Sequence, residues 1–181
     1  MQISVQLIDY QLVKESKQVQ TSANKQTVVR PHFEIVKILD GDGMIVKNIF
    51  TNQEEEVRLL GIDAPEIKKS TKSKKDEREV HLPVQFLIEL GYQSMKFLIK
   101  KTKKVKSITL IQEAKNLTDR YGRTLAYVLL PNGKTLNEIL VRQGYAKPYN
   151  RAYCQELPKY QKLNLRAKTK KKGLYSLTQS F

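Results

Sequence analysis

Cysteine is nearly missing from this chain: Cys154 is the single one among 181 residues, which excludes an internal disulfide and any cysteine-based zinc cluster. Histidine is almost as scarce. Neither His32 nor His81 has a second histidine or a cysteine at ligand spacing, which argues against an imidazole-built metal site. No apolar run reaches the roughly 18 to 20 residues that cross a bilayer, and the N-terminus lacks the charged-then-apolar layout of a secretory signal. No membrane span is therefore expected, while the compartment stays open, because secreted proteins can lack disulfides. Acidic residues are also in short supply, 18 against 33 Lys and Arg, for a formal net charge of +15 and a sequence pI near 9.8. That surplus favours a polyanionic partner, either nucleic acid or an anionic membrane surface. The length suits one domain with a full core and a loose end.

Met1 to Val13 alternates weakly through Ile3, Val5 and Leu7, as an edge strand does, and Lys14 to Thr27 is polar and aperiodic. Residues 1–30 read as an extension or linker. Phe33 to Leu39 predicts a strand, and Asp40-Gly41 a tight turn into a second strand over Met44 to Phe50. Asp40 and Asp42, at the hairpin tip, serve the turn or bind a metal. After a turn at Thr51 to Glu54, Val57 to Ile62 forms a third strand, completing a meander suited to a small barrel. Strict alternation sets Arg58 and Asp63 on opposite faces unless Gly61 makes a bulge or the strand ends before Asp63. Pro65 fixes the bend from which Glu66 leaves. Arg58 to Glu66 thus gathers a guanidinium and two carboxylates at one strand end, either as reactive groups or as an Arg58–Glu66 surface ion pair.

Ile67 to Val80 carries Lys68, Lys69, Lys72, Lys74 and Lys75 and reads as a mobile loop, touching phosphates or simply solvated. Leu82 to Lys101 has helical spacing, with Gly91 a candidate break. Fourth and fifth strands follow at Val105 to Gln112 and Thr124 to Leu130, separated by Asp119-Arg120-Tyr121-Gly122-Arg123. A turn at Pro131 to Lys134 leads to a short capped helix over Thr135 to Arg142, ended by Gly144. A last helix begins near Pro158 and ends at Lys170 to Lys172 with Gly173 as its cap, setting Leu163 and Ala167 on the barrel. Tyr149 stacks on a base or packs against the fold. The expected class is α+β, mainly β: a five-stranded OB-fold barrel with about three packed helices over residues 31–177, and a tail at 178–181.

Taken in order, these motifs resemble the staphylococcal (micrococcal) nuclease family, also called thermonuclease. The resemblance runs from Phe33 to Ser176. It is carried by Asp40-Gly41-Asp42, by Arg58-Leu59-Leu60-Gly61-Ile62-Asp63-Ala64-Pro65-Glu66, by Asp119 through Tyr127, and by the later Asn132-Gly133-Lys134, Asn137-Glu138, Val141 to Gly144 and Gly173 to Ser176. It implies a calcium-dependent endonuclease that hydrolyses DNA and RNA with little sequence specificity and leaves 3′-phosphate ends. Arg58 and Arg123 match the arginines on the scissile phosphate, and Glu66 the general base. Asp42, Asp63 and the backbone carbonyl of Ala64 match the calcium ligands, while Arg120 and Tyr121 match contacts to the nucleotide's terminal phosphate and Tyr149 the base-stacking tyrosine. Gly43 stands where the family usually has threonine, and the segment after Glu66 is longer and more basic than its usual pattern. The resemblance favours a secreted or cell-envelope location. A monomer that takes DNA or RNA, with no stable protein partner, is the simplest expectation. The competing reading is a catalytically silent nucleic-acid-binding OB-fold module, which keeps the basic surface but has no need of Glu66 between two arginines.

Overall fold

The computed structural model describes residues 26–181; the alternation read over residues 1–13 lies outside them. Strands β1 (Thr27–Ile38), β2 (Gly43–Asn48) and β3 (Glu54–Leu59) form the expected antiparallel meander. Strands β5 (Ile108–Glu113) and β6 (Thr124–Leu129) close it into a barrel of order β1-β2-β3-β6-β5, with β3 and β6 parallel and β5 returning to β1. Alternation explains the inward face: Met44 and Val46, Val57 and Leu59, Leu110, and Ala126 and Val128 are all buried. β1 starts well before Phe33 and serves two neighbours by bending. Its register slips between Arg30 and Phe33, where His32 has a φ of 66°, and again between Ile35 and Lys37.

The described residues hold four α-helices rather than about three: α1 (Thr71–Val80), which packs on α2 (Val84–Thr102), then α3 (Leu136–Arg142) and α4 (Leu157–Thr169), followed by a 3₁₀ turn at Gly173–Ser176. The additional one is α1, which corrects the reading of Ile67 to Val80 as a loop. Its start is fixed by a reciprocal cap: Ser73 N donates to Ser70 Oγ at 3.0 Å and Ser70 N donates to Ser73 Oγ at 2.8 Å. A serine in place of the usual glutamate makes that box hard to see in a lysine-rich run. The helix α2 runs unbroken through Gly91, contrary to the expected break. A glycine there costs roughly 1 kcal/mol against alanine, but a Cβ at Gly91 would stand 2.5 Å from the Glu66 carbonyl oxygen. The residue is what lets α2 lie directly against the Pro65-Glu66 backbone.

The main core fills the barrel and the faces of α2, α3 and α4, and includes Leu163. Ala167 belongs instead to a second cluster with Leu87, Leu90, Leu174, Tyr175 and Phe181, so it packs between α4 and α2 and not on the barrel. No helix among the described residues is long and apolar enough to cross a membrane.

Candidate active site

The third strand stops at Leu59, short of the expected Ile62. Leu60-Gly61 turns the chain, with Gly61 at a φ of +77° and no room for a side chain, since its Cβ would lie 2.4 Å from Cys154 Sγ. Ile62–Asp63 resumes as β4, paired with β7 (Lys147–Pro148) so that Asp63 faces Lys147. This break removes the parity problem between Arg58 and Asp63: Arg58 NH2 donates to Asp63 Oδ1 at 3.0 Å. Arg58 also forms an ion pair with Asp42 through its second terminal nitrogen. The hairpin tip is set by Asp40, whose Oδ1 accepts from Asp42 N at 3.0 Å, and Asp42 Oδ2 in turn accepts from Ala64 N at 2.6 Å. Asp42, Asp63 and the Ala64 backbone therefore meet at one strand end. The turn itself is clamped by Asn137, fully buried, which accepts from Val128 N and donates to the carbonyls of Leu60 (3.0 Å) and Ala126 (3.2 Å).

No Arg58–Glu66 pair forms; the cation beside Glu66 is Lys72. Standing in the first turn of α1, Lys72 points into the carboxylates and not out to solvent. Its Nζ donates to the Ala64 carbonyl at 2.9 Å and lies 3.1 Å from both Asp63 Oδ1 and Glu66 Oε1, and 3.8 Å from Asp76 Oδ2. Burial pushes the Asp42 carboxyl up, to about 7, with Arg58 opposing the rise. Burial would also raise Asp63, but the Lys72 ammonium and the Arg58 guanidinium outweigh it and hold that carboxyl below its ordinary range. For Lys72, burial works against the charge, and the carboxylates of Asp63, Asp42, Glu66 and Asp76 more than restore it, so the side chain is firmly an ammonium.

Calcium takes about six to eight hard oxygen ligands. Asp42, Asp63 and the Ala64 carbonyl are donors of that kind, and an ammonium already resting on two of the three marks the position as one that takes a cation. No group of three or more metal-ligating side chains occurs among the described residues, so an ion bound here would need the Ala64 carbonyl and water to complete its shell. The donor set fits a hard cation, with Lys72 standing in its place.

Arg120, Tyr121 and Arg123 lie on the loop before β6. In the parallel register Arg58 is opposite Leu125, two residues past Arg123. Since Val57, Leu59, Thr124 and Ala126 are buried, alternation sets Arg58 and Arg123 on the same outer face of the barrel. Asp119 shapes the loop: its Oδ1 accepts from Tyr121 N (2.8 Å) and Arg123 N (3.0 Å), and its Oδ2 accepts from Arg123 Nε at 2.7 Å. Burial pushes the Asp119 carboxyl up, but those bonds together outweigh it and hold the group below its usual value. The Tyr121 ring is exposed, with Arg120 stacked at 4.7 Å and donating to its hydroxyl at 2.6 Å, and Arg123 5.7 Å from the ring centroid. Tyr149, half-buried, is tied to the strand break by its N–H donating to the Gly61 carbonyl at 2.9 Å. Sequence reasoning gave no role here to Lys72, Asn137 or Asp119, although Asn137 and Asp119 stand in the motifs quoted above and Lys72 follows the Ser70-to-Ser73 spacing that starts its helix.

The chain matches the staphylococcal nuclease homologue family over residues 56–177. An uncharacterized protein of Methanocaldococcus jannaschii is 33% identical over 126 residues, 64% of this chain and 58% of that protein, so the match spans less than two thirds of the archaeal relative. A thermonuclease of Staphylococcus hyicus is 30% identical over 161 residues, 86% of this chain and 79% of the relative. An uncharacterized endonuclease of Escherichia coli is 30% identical over 145 residues, 80% of this chain and 77% of its own length.

Proposed function

We propose that this chain, which belongs to the staphylococcal nuclease homologue family, is a calcium-dependent endonuclease that hydrolyses DNA and RNA with little sequence specificity and leaves 3′-phosphate ends. The observation that supports this reading most strongly is the meeting of Asp42, Asp63, the Ala64 carbonyl, Arg58 and Glu66 at one strand end, with Arg123 on the same barrel face. Arg58 and Arg123 hold the equatorial oxygens of the scissile phosphate as charge builds there, a task for which planar, bidentate guanidinium suits better than lysine. Glu66, with its side chain 33% exposed, is open to water. It takes the proton as the water oxygen bonds to phosphorus and the bond to the 5′ oxygen breaks.

Asp119 orients Arg123 by accepting from its backbone N and its Nε. Asp42, Asp63 and the Ala64 carbonyl would hold the calcium ion, which when bound supplies Lewis-acid contact to a phosphate oxygen. Arg120 and Tyr121 receive the nucleotide's terminal phosphate, and Tyr149 a base. Nucleic acid is thus the partner of a monomeric enzyme, and a secreted or cell-envelope setting belongs to the same proposal.

A catalytically silent binding module with the same barrel is the alternative. Incubating a defined single-stranded oligonucleotide with the protein and calcium, then weighing the products by mass spectrometry, separates the two. Fragments ending in 3′-phosphate and beginning in 5′-hydroxyl are expected; an oligonucleotide that is bound and left whole means the silent module.

A further inference from the structure

The ammonium of Lys72 lies on oxygens assigned above to calcium. Nζ donates to Ala64 O at 2.9 Å and stands 3.1 Å from Asp63 Oδ1 and from Glu66 Oε1. Calcium–oxygen bonds are about 2.3–2.6 Å long, so an ion on Ala64 and Asp63 would occupy the space that Nζ fills. Arg58 NH2 shares Asp63 Oδ1 with Lys72 from another side, but a calcium ion and Nζ cannot fill the same space. Arg58 approaches Asp42 and Asp63 from β3 and leaves Lys72 as the group that must yield.

Lys72 also has somewhere to go. Its side chain keeps 29% exposure, so its route to solvent is open, and its four-carbon stem rotates without disturbing the helix that carries it. Asp76, buried one turn further along α1, is 3.8 Å from Nζ, at the i,i+4 spacing that lets two side chains of a helix pair.

We propose that Lys72 is a tethered counter-cation: it neutralises the carboxylates when calcium is scarce, competes with calcium for Ala64 O and Asp63, and swings toward Asp76 when the ion binds. This rests on the calcium reading of the site. Two consequences follow from the geometry. The carboxylates stay gathered without metal, because Lys72 and Arg58 offset their repulsion. Calcium affinity is set by the lysine, so the site fills only at concentrations high enough to displace it.

The test uses the full chain stripped with chelator and titrated with calcium by calorimetry. Lys72→Met, which keeps the stem and removes the charge, binds calcium more tightly than the parent by roughly tenfold or more, while Lys72→Arg stays as weak as the parent. A second measurement needs no variant. Amine acetylation mapped by mass spectrometry finds Lys72 protected in chelator and severalfold more reactive in saturating calcium, with the exposed Lys74 and Lys75 of the same helix as references. Equal calcium affinity in parent and Lys72→Met, or Lys72 labelling that ignores calcium, overturns the competition and leaves the calcium site standing. Failure of both proteins to bind calcium overturns the competition and the calcium reading together.

Discussion

Around Ala64, cations and carboxylates interlock, buried except where Lys72 and Glu66 reach toward water: Arg58 bridges Asp42 and Asp63, and Lys72 bridges Asp63 and Glu66. On the loop from Asp119 to Arg123 the balance is reversed. Tyr121 is 68% exposed, Arg120 rests on its ring, and Asp119 shapes the backbone and steadies Arg123, with Glu56 a more distant partner at 3.8 Å. The first region is neutralised from within. The second presents positive charge and an aromatic face outward, as a polyanion requires. A phosphodiester bound between them would meet both kinds of chemistry, and neither region supplies them alone.

The sharpest way to break this division of labour is to remove one reactive group from each side. Glu66→Gln and Arg123→Ala each lower turnover by about 10²-fold or more, with circular dichroism unchanged. If Arg123→Ala cleaves like the parent, the loop is not part of the site. Next in size is a stability effect confined to the buried side. Asn137→Ala strands the Val128 N–H and the Leu60 carbonyl, while the Ala126 carbonyl keeps the Leu60 N–H, for a loss of about 2 to 3 kcal/mol in denaturant unfolding. A wild-type midpoint would mean that the clamp on the strand break is dispensable.

Tyr121→Ala probes the open side and acts on binding instead. Affinity for single-stranded DNA falls by about 1 to 2 kcal/mol while the melting temperature holds, because the ring packs on nothing but its neighbours. The smallest effect is acid-dependent. Asp119 is held below its ordinary value of 3.8 in the folded protein, so its contribution to stability is present above that pH and lost as the pH falls through the lowered value. Melting curves between pH 5 and pH 3 should show a shallower acid decline for Asp119→Asn than for the parent; parallel declines would mean that Asp119 does not favour the folded state.

The open region was the more legible of the two in the sequence. Asp119 to Arg123 is a contiguous turn signal, and a contiguous segment carries its own geometry. The barrel was legible for a similar reason, since alternation in Met44–Val46, Val57–Leu59 and Thr124–Leu129 is a local pattern. The buried region was only half readable. Asp42, Asp63 and Glu66 sit in recognisable motifs, but their cation partner does not. Lys72 is one of five lysines in a run whose composition reads as loop, and its inward direction depends on a Ser70–Ser73 cap and on where α2 lies. Gly91 misled for the same reason: a glycine in a helical pattern reads as a break, and its use as a contact surface for Glu66 exists only in three dimensions. Asn137 gives no sign that its amide ties β6 to the turn after β3.

The central claim is that the carboxylates at the strand break serve calcium-dependent hydrolysis, and it is tested most directly by following single-stranded DNA through one cycle of calcium, chelator and restored calcium. The account predicts degradation with calcium, an intact strand in chelator, and renewed degradation on adding calcium back. Cleavage that continues unchanged in chelator would contradict it.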